Sequence, residues 1–381
     1  MVMASACAWA TGNQTTLVSD SESEPIHSAV VRNEAWTVDP VRRLRLDAER
    51  RIKEGPWSVT FDRPQGLLDL DPHEYYSQAP YWWPQDDPKA PYVRKDGQIN
   101  PNRFLANKNS LNSMSDAVFT LGTAAYLLGD VKYARRAARV LRVWFVDPAT
   151  RMNPSLEYAQ AVRNMNSGRG MGIIDGRVFI RAIQGMEFLA ETGQWDAKDQ
   201  AAVRKWFQEY LHWLTTSEHG LDEKNSPNTH AAWWSAQVAA VATFVGDEAA
   251  QKMVFAWYRE QVMGRPLLYS AFNLEAMSTL CRIAQVNGVD LWSAKAKNGA
   301  TLATLADYLI PSLSDPKKWT KEQIADFTSE GLYYLAFAGM GLKRSEYIAL
   351  YRKIDHGENA WTGLVDLLAS RWENASHQTR H

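Results

Sequence analysis

A chain of 381 residues has room for one large domain or two smaller ones, at ~150 residues per domain, and its 45% apolar content can fill a sizeable core. The formal net charge is −1, from 42 Lys and Arg against 43 Asp and Glu, and no run of five like charges occurs. That balance excludes the basic stripe with which a protein grips nucleic acid, so an anionic ligand must be held by local cations and not by a global field.

The chain opens Met1-Val2-Met3-Ala4-Ser5-Ala6-Cys7-Ala8-Trp9-Ala10. Its small residues resemble the cleavage end of a signal peptide, here weak or truncated because no basic stretch precedes a short apolar run. Asn13 and Asn374 open Asn-x-Ser/Thr sequons, which fit a secretory route. The expectation is a secreted protein, extracellular or periplasmic. Residues 1 to about 25 lack periodicity and are expected to be removed or disordered, leaving 26–381 as a single domain. No stretch of 18 apolar residues exists, so no membrane span is expected. Cys7 falls in the leader and Cys281 in an apolar helical stretch, so no internal disulfide is expected. Neither CxxC nor HExxH spacing occurs, so neither a metal site nor a cofactor is expected.

Residues 37–54 read as a first helix, with Val41, Leu44, Leu46 and Ile52 on its apolar face. An irregular stretch rich in Pro, Asp, Tyr and Trp follows, from about Gly55 to Asn109. Long loops of this kind inside a compact domain are usually functional. From Ser110 onward the helical period dominates, over 114–128, 131–146, 177–192, 197–216, 230–245, 247–262, 269–287, 298–312, 321–339, 344–353 and 359–371. Gly129 and Gly246 follow apolar runs, as helix C-caps require. The segments Ala124-Ala125-Tyr126-Leu127-Leu128-Gly129-Asp130 and Val241-Ala242-Thr243-Phe244-Val245-Gly246-Asp247 resemble each other, and each runs at once into another helix. Repeated helical hairpins stack into solenoids or close into toroids. The expected fold is all-α, an α/α toroid (α/α barrel) of helical hairpins whose cleft is lined by loops and helix starts at one end.

Three segments carry polar and aromatic groups that a plain helix does not need. The first runs from Asp71 through Tyr81-Trp82-Trp83-Pro84 to Arg94-Lys95 and Pro101. It reads either as a surface loop packing its own aromatics or as a cleft wall that joins stacking rings to cations. The second runs from Arg151-Met152-Asn153-Pro154 through Gln160 to Gly168-Arg169-Gly170-Met171-Gly172-Ile173-Ile174-Asp175. Its glycines superficially resemble a nucleotide-binding loop, but no strand precedes them and the third spacing fails. A cleft loop whose backbone approaches a sugar fits better, with Gln160 and Arg169 as ligand contacts. The third is Asn225-Ser226-Pro227-Asn228-Thr229-His230-Ala231-Ala232-Trp233-Trp234. A histidine there is commonly a helix-end packing residue; beside Asn228 at a helix N-terminus it can instead meet a carboxylate, which backbone N–H groups and the helix dipole favour. Tyr269 opens a later helix at what is expected to be the same end. Sixteen Trp, two pairs among them, suggest stacking surfaces for sugar rings, with Trp234 counted among those contacts.

The Tyr-Trp-Trp-Pro loop, the stretch from Asn153-Pro154 to Ile174-Asp175, Asn228-x-His230 and Tyr269-Ser270-x-Phe272-Asn273-Leu274-Glu275 occur in an order that resembles the alginate-lyase domain family, over roughly residues 40–350. The resemblance implies an incomplete α/α toroid and metal-independent β-elimination on a polyuronate of the alginate or glucuronan type. Removing H5 of a uronate requires its C6 carboxylate to be neutralised, a base for the proton and an acid for the glycosidic oxygen. Carried over from the family, Tyr269 is the acid/base and His230 the neutraliser or base, with Asn228 and an Arg beside them. Two positions depart from the family pattern. Thr229 stands where Asn usually precedes the His, and the segment before Tyr269 is shortened, with Arg265 expected to replace an Arg usually found six or seven residues upstream. Tyr81, Trp82, Trp83, Arg94, Gln160, Arg169 and Trp234 are the expected substrate contacts. The expected partner is an anionic polysaccharide, with neither nucleic acid nor membrane, and the chain is expected to act as a monomer. Two alternatives stay open: an inactive oligouronate-binding homologue, and an inverting glycoside hydrolase using Glu157 and Asp175, which would need its carboxylates about 6.5–9.5 Å apart.

Overall fold

The computed structural model describes residues 15–64, 66, 69–262, 271–296, 299–318, 332–354 and 357–378. Among the described residues the helices are α1 Asp20–Val31, α2 Val38–Arg51, α3 Ala106–Leu128, α4 Val131–Leu141, α5 Phe179–Glu191, α6 Ala197–Thr216, α7 Glu218–Asn225, α8 Thr229–Val245, α9 Glu248–Trp257, α10 Ala271–Val286, α11 Leu302–Ser314, α12 Tyr334–Leu342, α13 Ser345–Lys353 and α14 Ala360–Gln378. Four short strands, β1 Tyr76–Gln78, β2 Trp82–Trp83, β3 Val93–Arg94 and β4 Tyr158–Ala161, and a 3₁₀ helix Gly170–Val178 break the helical pattern.

Helix burial sorts the elements into two layers. The α8 sequence is Ala-rich and apolar on every side, and all residues from Ala231 to Phe244 are buried, as an all-round apolar helix requires. By contrast α4 buries Tyr133, Ala134, Ala137, Val140 and Leu141, the i, i+1, i+4, i+7, i+8 stripe of a helix with one face in water. Accordingly α3, α5, α8, α10 and α12 pack each against the next as an inner ring, and α4, α9, α11 and α13 each pack on the inner helix that precedes them, with α6 packed on α8. The last helix, α14, packs on α2 and also touches α12 and α3; the Arg43–Asp366 ion pair joins α2 to α14. This is the α/α toroid expected from the repeated hairpins.

Gly129 and Gly246 end α3 and α8 in the left-handed conformation, with φ of 68° and 77°. The next residue in each case, Asp130 or Asp247, caps the following helix through its side chain. The two similar segments are thus the same hairpin turn used twice.

The N-terminal expectation is corrected for residues 15–25. Leu17 and Val18 are buried, and their backbone N–H groups donate to Gln184 Oε1 of α5 at 2.8 and 2.9 Å. Thr16 bonds to Glu187 of the same helix. From α10, Arg282 reaches the Leu17 carbonyl at 2.8 Å and Glu22 at 2.7 Å. A polar segment without apolar period is held here by side chains far away in the chain, which periodicity cannot report. The strap precedes α1, a helix with few buried residues and Pro25 inside it.

Candidate active site

The long irregular stretch is organised by pairing. Strand β1 pairs in parallel with β4, while β2 and β3 form an antiparallel ribbon that places Trp82 opposite Arg94 and Trp83 opposite Val93. Asn100 secures the base of the ribbon, donating to the Trp82 carbonyl at 2.9 Å. From the turn after β4, Asn164 donates to the carbonyls of Pro88 and Ala90 at 3.0 and 2.9 Å. Tyr81, Trp82 and Trp83 are half-buried on this ribbon. Lys95 Nζ lies 5.0 Å from the Trp83 ring centre, a cation–π distance, and Arg94 is exposed and paired with Asp96.

The floor beneath is a network around Asp175, whose carboxylate is fully buried. It accepts from Tyr75 at 3.0 Å, Ser77 at 2.8 Å, Lys108 at 2.8 Å and Gln160 at 3.3 Å. A buried charge is tolerated only when it is paired and hydrogen-bonded in this way. Gln160, at φ 49°, sits in the left-handed region, a conformation that L-residues adopt only when surrounding contacts enforce it. Its carbonyl accepts from Arg169 Nε at 2.9 Å and its side-chain oxygen from Nη2 at 3.3 Å. The Gln160 amide is therefore consumed in aiming Arg169, and the side chain is buried. That corrects its expected role as a direct ligand contact.

Arg169 is half-buried and, among the described residues, has no carboxylate partner. Desolvation and the nearby Arg94 lower its proton affinity, while Glu223 acts in the opposite sense. Two guanidiniums thus lie within electrostatic reach of each other with no carboxylate paired to Arg169. Such an arrangement suits a ligand that brings its own negative charge.

The glycines that flank Arg169 serve the protein's own packing. A Cβ on Gly168 would lie 1.8 Å from the Glu157 carbonyl oxygen, one on Gly170 2.4 Å from Asp222 Oδ2, and one on Gly172 2.4 Å from the Ala159 carbonyl oxygen. This backbone lies against β4 and α7.

Helix α8 begins beside these elements. Asn228 is its N-cap and accepts from the His230 N–H at 3.0 Å, with Ser226 Oγ 3.1 Å from the same oxygen. His230 Nδ1 lies 2.8 Å from Glu223 Oε1, and the Glu223 carboxylate is fully buried on α7. Burial raises the Glu223 pKa, and Asp222 and Asp175 add to the rise, against the lowering contact with His230. One turn further on, Trp233 packs against Phe272, the second residue of α10, at 5.4 Å between ring centres. The Arg177 guanidinium lies over both rings, at 5.8 and 5.4 Å.

Trp234 is corrected outright. It is 0% exposed and its indole N–H donates to the Leu214 carbonyl at 3.0 Å, so it is core and offers no face to a sugar. Tyr269 and Arg265 lie outside the described residues. Sequence reading missed Glu223, Arg177 and Lys108. Glu223 stands in a polar octapeptide that looks like a solvated surface turn, and nothing local announces that its carboxylate is buried.

The hydrolase alternative fares poorly in this geometry. Asp175 is sealed from water by four donors. Glu157 accepts from the Trp213 indole at 3.0 Å and lies 3.4 Å from His219. Among the described residues no group of three or more His, Cys, Asp or Glu could hold a metal ion, and no helix is long and apolar enough to cross a membrane.

Comparison with known proteins fits this architecture. A crystal structure of an alginate lyase from Bacteroides ovatus is similar with a TM-score of 0.83 and 28% identity, covering 94% of this chain and 99% of that one. Alginate lyase A1-III complexed with tetrasaccharide is similar at a TM-score of 0.50 and 14% identity, over 81% of this chain and 90% of that one, a likeness of fold. No curated protein sequence matches. The alginate lyase family itself matches over residues 69–319, which takes in the ribbon, the Asp175 floor and the start of α8. The chain is a polysaccharide lyase and belongs to the alginate lyase family.

Proposed function

We propose that the chain cleaves a polyuronate by β-elimination at the end of the toroid where α8 and α10 begin. The observation that carries this reading is Glu223, which holds His230 at 2.8 Å beside the Asn228 cap of a helix N-terminus and lies within electrostatic reach of the half-buried Arg169. Elimination removes the proton on C5, forms the C4–C5 double bond and breaks the C4–O bond, with a proton delivered to the leaving oxygen. Each step is easier when the C6 carboxylate is neutralised, because negative charge spreads onto it as the C5–H bond breaks. Arg169, with Arg94 nearby, supplies charge for uronate carboxylates, and the α8 N-terminus adds N–H groups.

Tyr269 is assigned as the acid/base by the family pattern. Phe272, three residues later, touches Trp233, which is one turn into the helix that His230 begins. That Tyr269 and His230 share one cleft end is assigned on the same family pattern. Arg265 is assigned to the uronate carboxylate. Tyr81, Trp82 and Trp83 offer rings for stacking along the polymer. The weak leader and the polymeric substrate together favour export from the cell.

A panel of mannuronate-rich and guluronate-rich alginate and glucuronan tests the reading. The expected result is ultraviolet absorbance from unsaturated uronate ends on at least one polymer. New reducing ends without that absorbance would make the chain a hydrolase, and tight binding without turnover would make it an inactive homologue; either overturns the proposal.

A further inference from the structure

We propose that Glu223 is a positioning residue that holds His230 with Nδ1 protonated and presents Nε2 to the cleft as a proton acceptor. This inference rests on the proposed role of His230 and deepens it, because the sequence leaves that residue as either neutraliser or base.

The argument starts from α7. This eight-residue helix, Glu218–Asn225, buries only Gly220 and Glu223. A carboxylate is among the groups least often found fully buried without a partner, and this one has a single hydrogen-bond contact among the described residues, the 2.8 Å approach to His230 Nδ1. Its other oxygen, Oε2, is buried and makes no hydrogen bond among the described residues. A helix that buries one carboxylate against one imidazole nitrogen has that pairing as its main polar content.

The chemistry of the pair follows from its donors and acceptors. While Glu223 is ionised its oxygens only accept, so Nδ1 carries the hydrogen. In a neutral imidazole the second nitrogen then holds a lone pair. His230 Nε2 has no hydrogen bond among the described residues, and the side chain is 14% exposed, so the lone pair is left for a ligand or water. The arrangement is that of a carboxylate orienting a catalytic imidazole, reached here with the carboxylate seven residues ahead of the histidine. Asn228 fixes the other side, because its cap on the His230 N–H sets the backbone from which the ring projects.

Direct observation of the ring nitrogens tests the proposal without altering the protein. In the ¹⁵N-histidine-labelled wild type, with the His230 signals assigned by their loss in His230→Gln, the expected spectrum has a protonated Nδ1 and a pyridine-like Nε2. A protonated Nε2 with an unprotonated Nδ1 would overturn it. Kinetics on the polyuronate turned over fastest provide the second arm. Glu223→Gln keeps the shape and removes the charge, and should lower kcat by roughly 10–100-fold with KM little changed. In a His230→Ala background the same substitution should have no further effect, since a residue acting through the imidazole is silent once the imidazole is gone. An additional loss in that background would make Glu223 merely structural and overturn the inference. The two readings fail separately. Wild-type activity in His230→Ala removes the role of His230 itself, whereas an inactive His230→Ala beside a fully active Glu223→Gln removes only the role of Glu223.

Discussion

The dipeptide Trp-Trp occurs twice, at 82–83 and 233–234, and the two copies have opposite surroundings. Trp82 and Trp83 lie on a two-stranded ribbon, half-buried, held among the described residues by backbone carbonyls and Lys95. Trp233 and Trp234 lie inside α8, at 2% and 0% exposure, among inner-ring helices. Composition treats the pairs alike. What separates them is context: small residues, Ala232 and Ser235, on the two sides of one pair, and Pro, Tyr and Asp around the other. A Trp flanked by small residues on a helix is enclosed by neighbouring helices, which those residues let approach. A Trp flanked by Pro on a ribbon has only one side covered. The inner ring therefore sets stability, and the ribbon and helix starts set what the cleft does.

That division can be broken most sharply at Tyr269, where the two properties should separate completely. Tyr269→Phe removes one hydroxyl, and turnover should fall by ~10²–10⁴-fold with the melting temperature unchanged. Near-wild-type kcat in that variant would end the acid/base assignment. The reverse separation is expected at Trp234→Ala, which empties a fully enclosed site and removes the bond to Leu214. It should cost about 3–5 kcal/mol of stability, read by thermal or urea unfolding; a melting temperature equal to wild type would mean that the site is not core. The smallest effect belongs to the ribbon. Trp82→Ala should leave unfolding nearly untouched and weaken polymer binding by ~0.5–1.5 kcal/mol, seen as a rise in KM at constant kcat. A collapse in melting temperature instead would place Trp82 with the core and erase the contrast.

How far the sequence could be read follows the same line. The helices 197–216 and 344–353 are found to within one residue because each has a 3.6-residue apolar period, and 230–245 because its long apolar run is bounded by the Asn228 cap and Gly246. α1 and α7 are missed because neither has one: α1 buries Ser23, Ile26 and Ala29, and α7 buries Gly220 and Glu223. The expected helix at 298–312 begins later, at Leu302, where Thr301 forms a capping box with Thr304. At the site, Asn228 and His230 are legible because a cap followed by an apolar helix is a local pattern. The roles of Gln160 and Asp175 are not, since they depend on Tyr75, Ser77 and Lys108 arriving from 67 to 100 residues away. The wrong reading of Trp234 has the same root, for only the packing of neighbouring helices reveals which Trp is enclosed.

The strap at residues 16–18 and the seating of α14 on α2 have a consequence for how the protein is made. Arg282 reaches back 265 residues to the Leu17 carbonyl, and Arg43 waits for Asp366, 323 residues ahead. During synthesis at ~5–20 residues per second, the strap is on the nascent chain for roughly 13–53 s before its arginine exists. Leu17 and Val18 have no native cover on the α10 side in that interval, and the first hairpins cannot close a ring whose last member is still in the ribosome. Contacts of such long range are slow to form, and neither can form before its C-terminal partner has been made. The strap and the seat of α14 on α2 therefore keep apolar surface uncovered until α10 and α14 have been made.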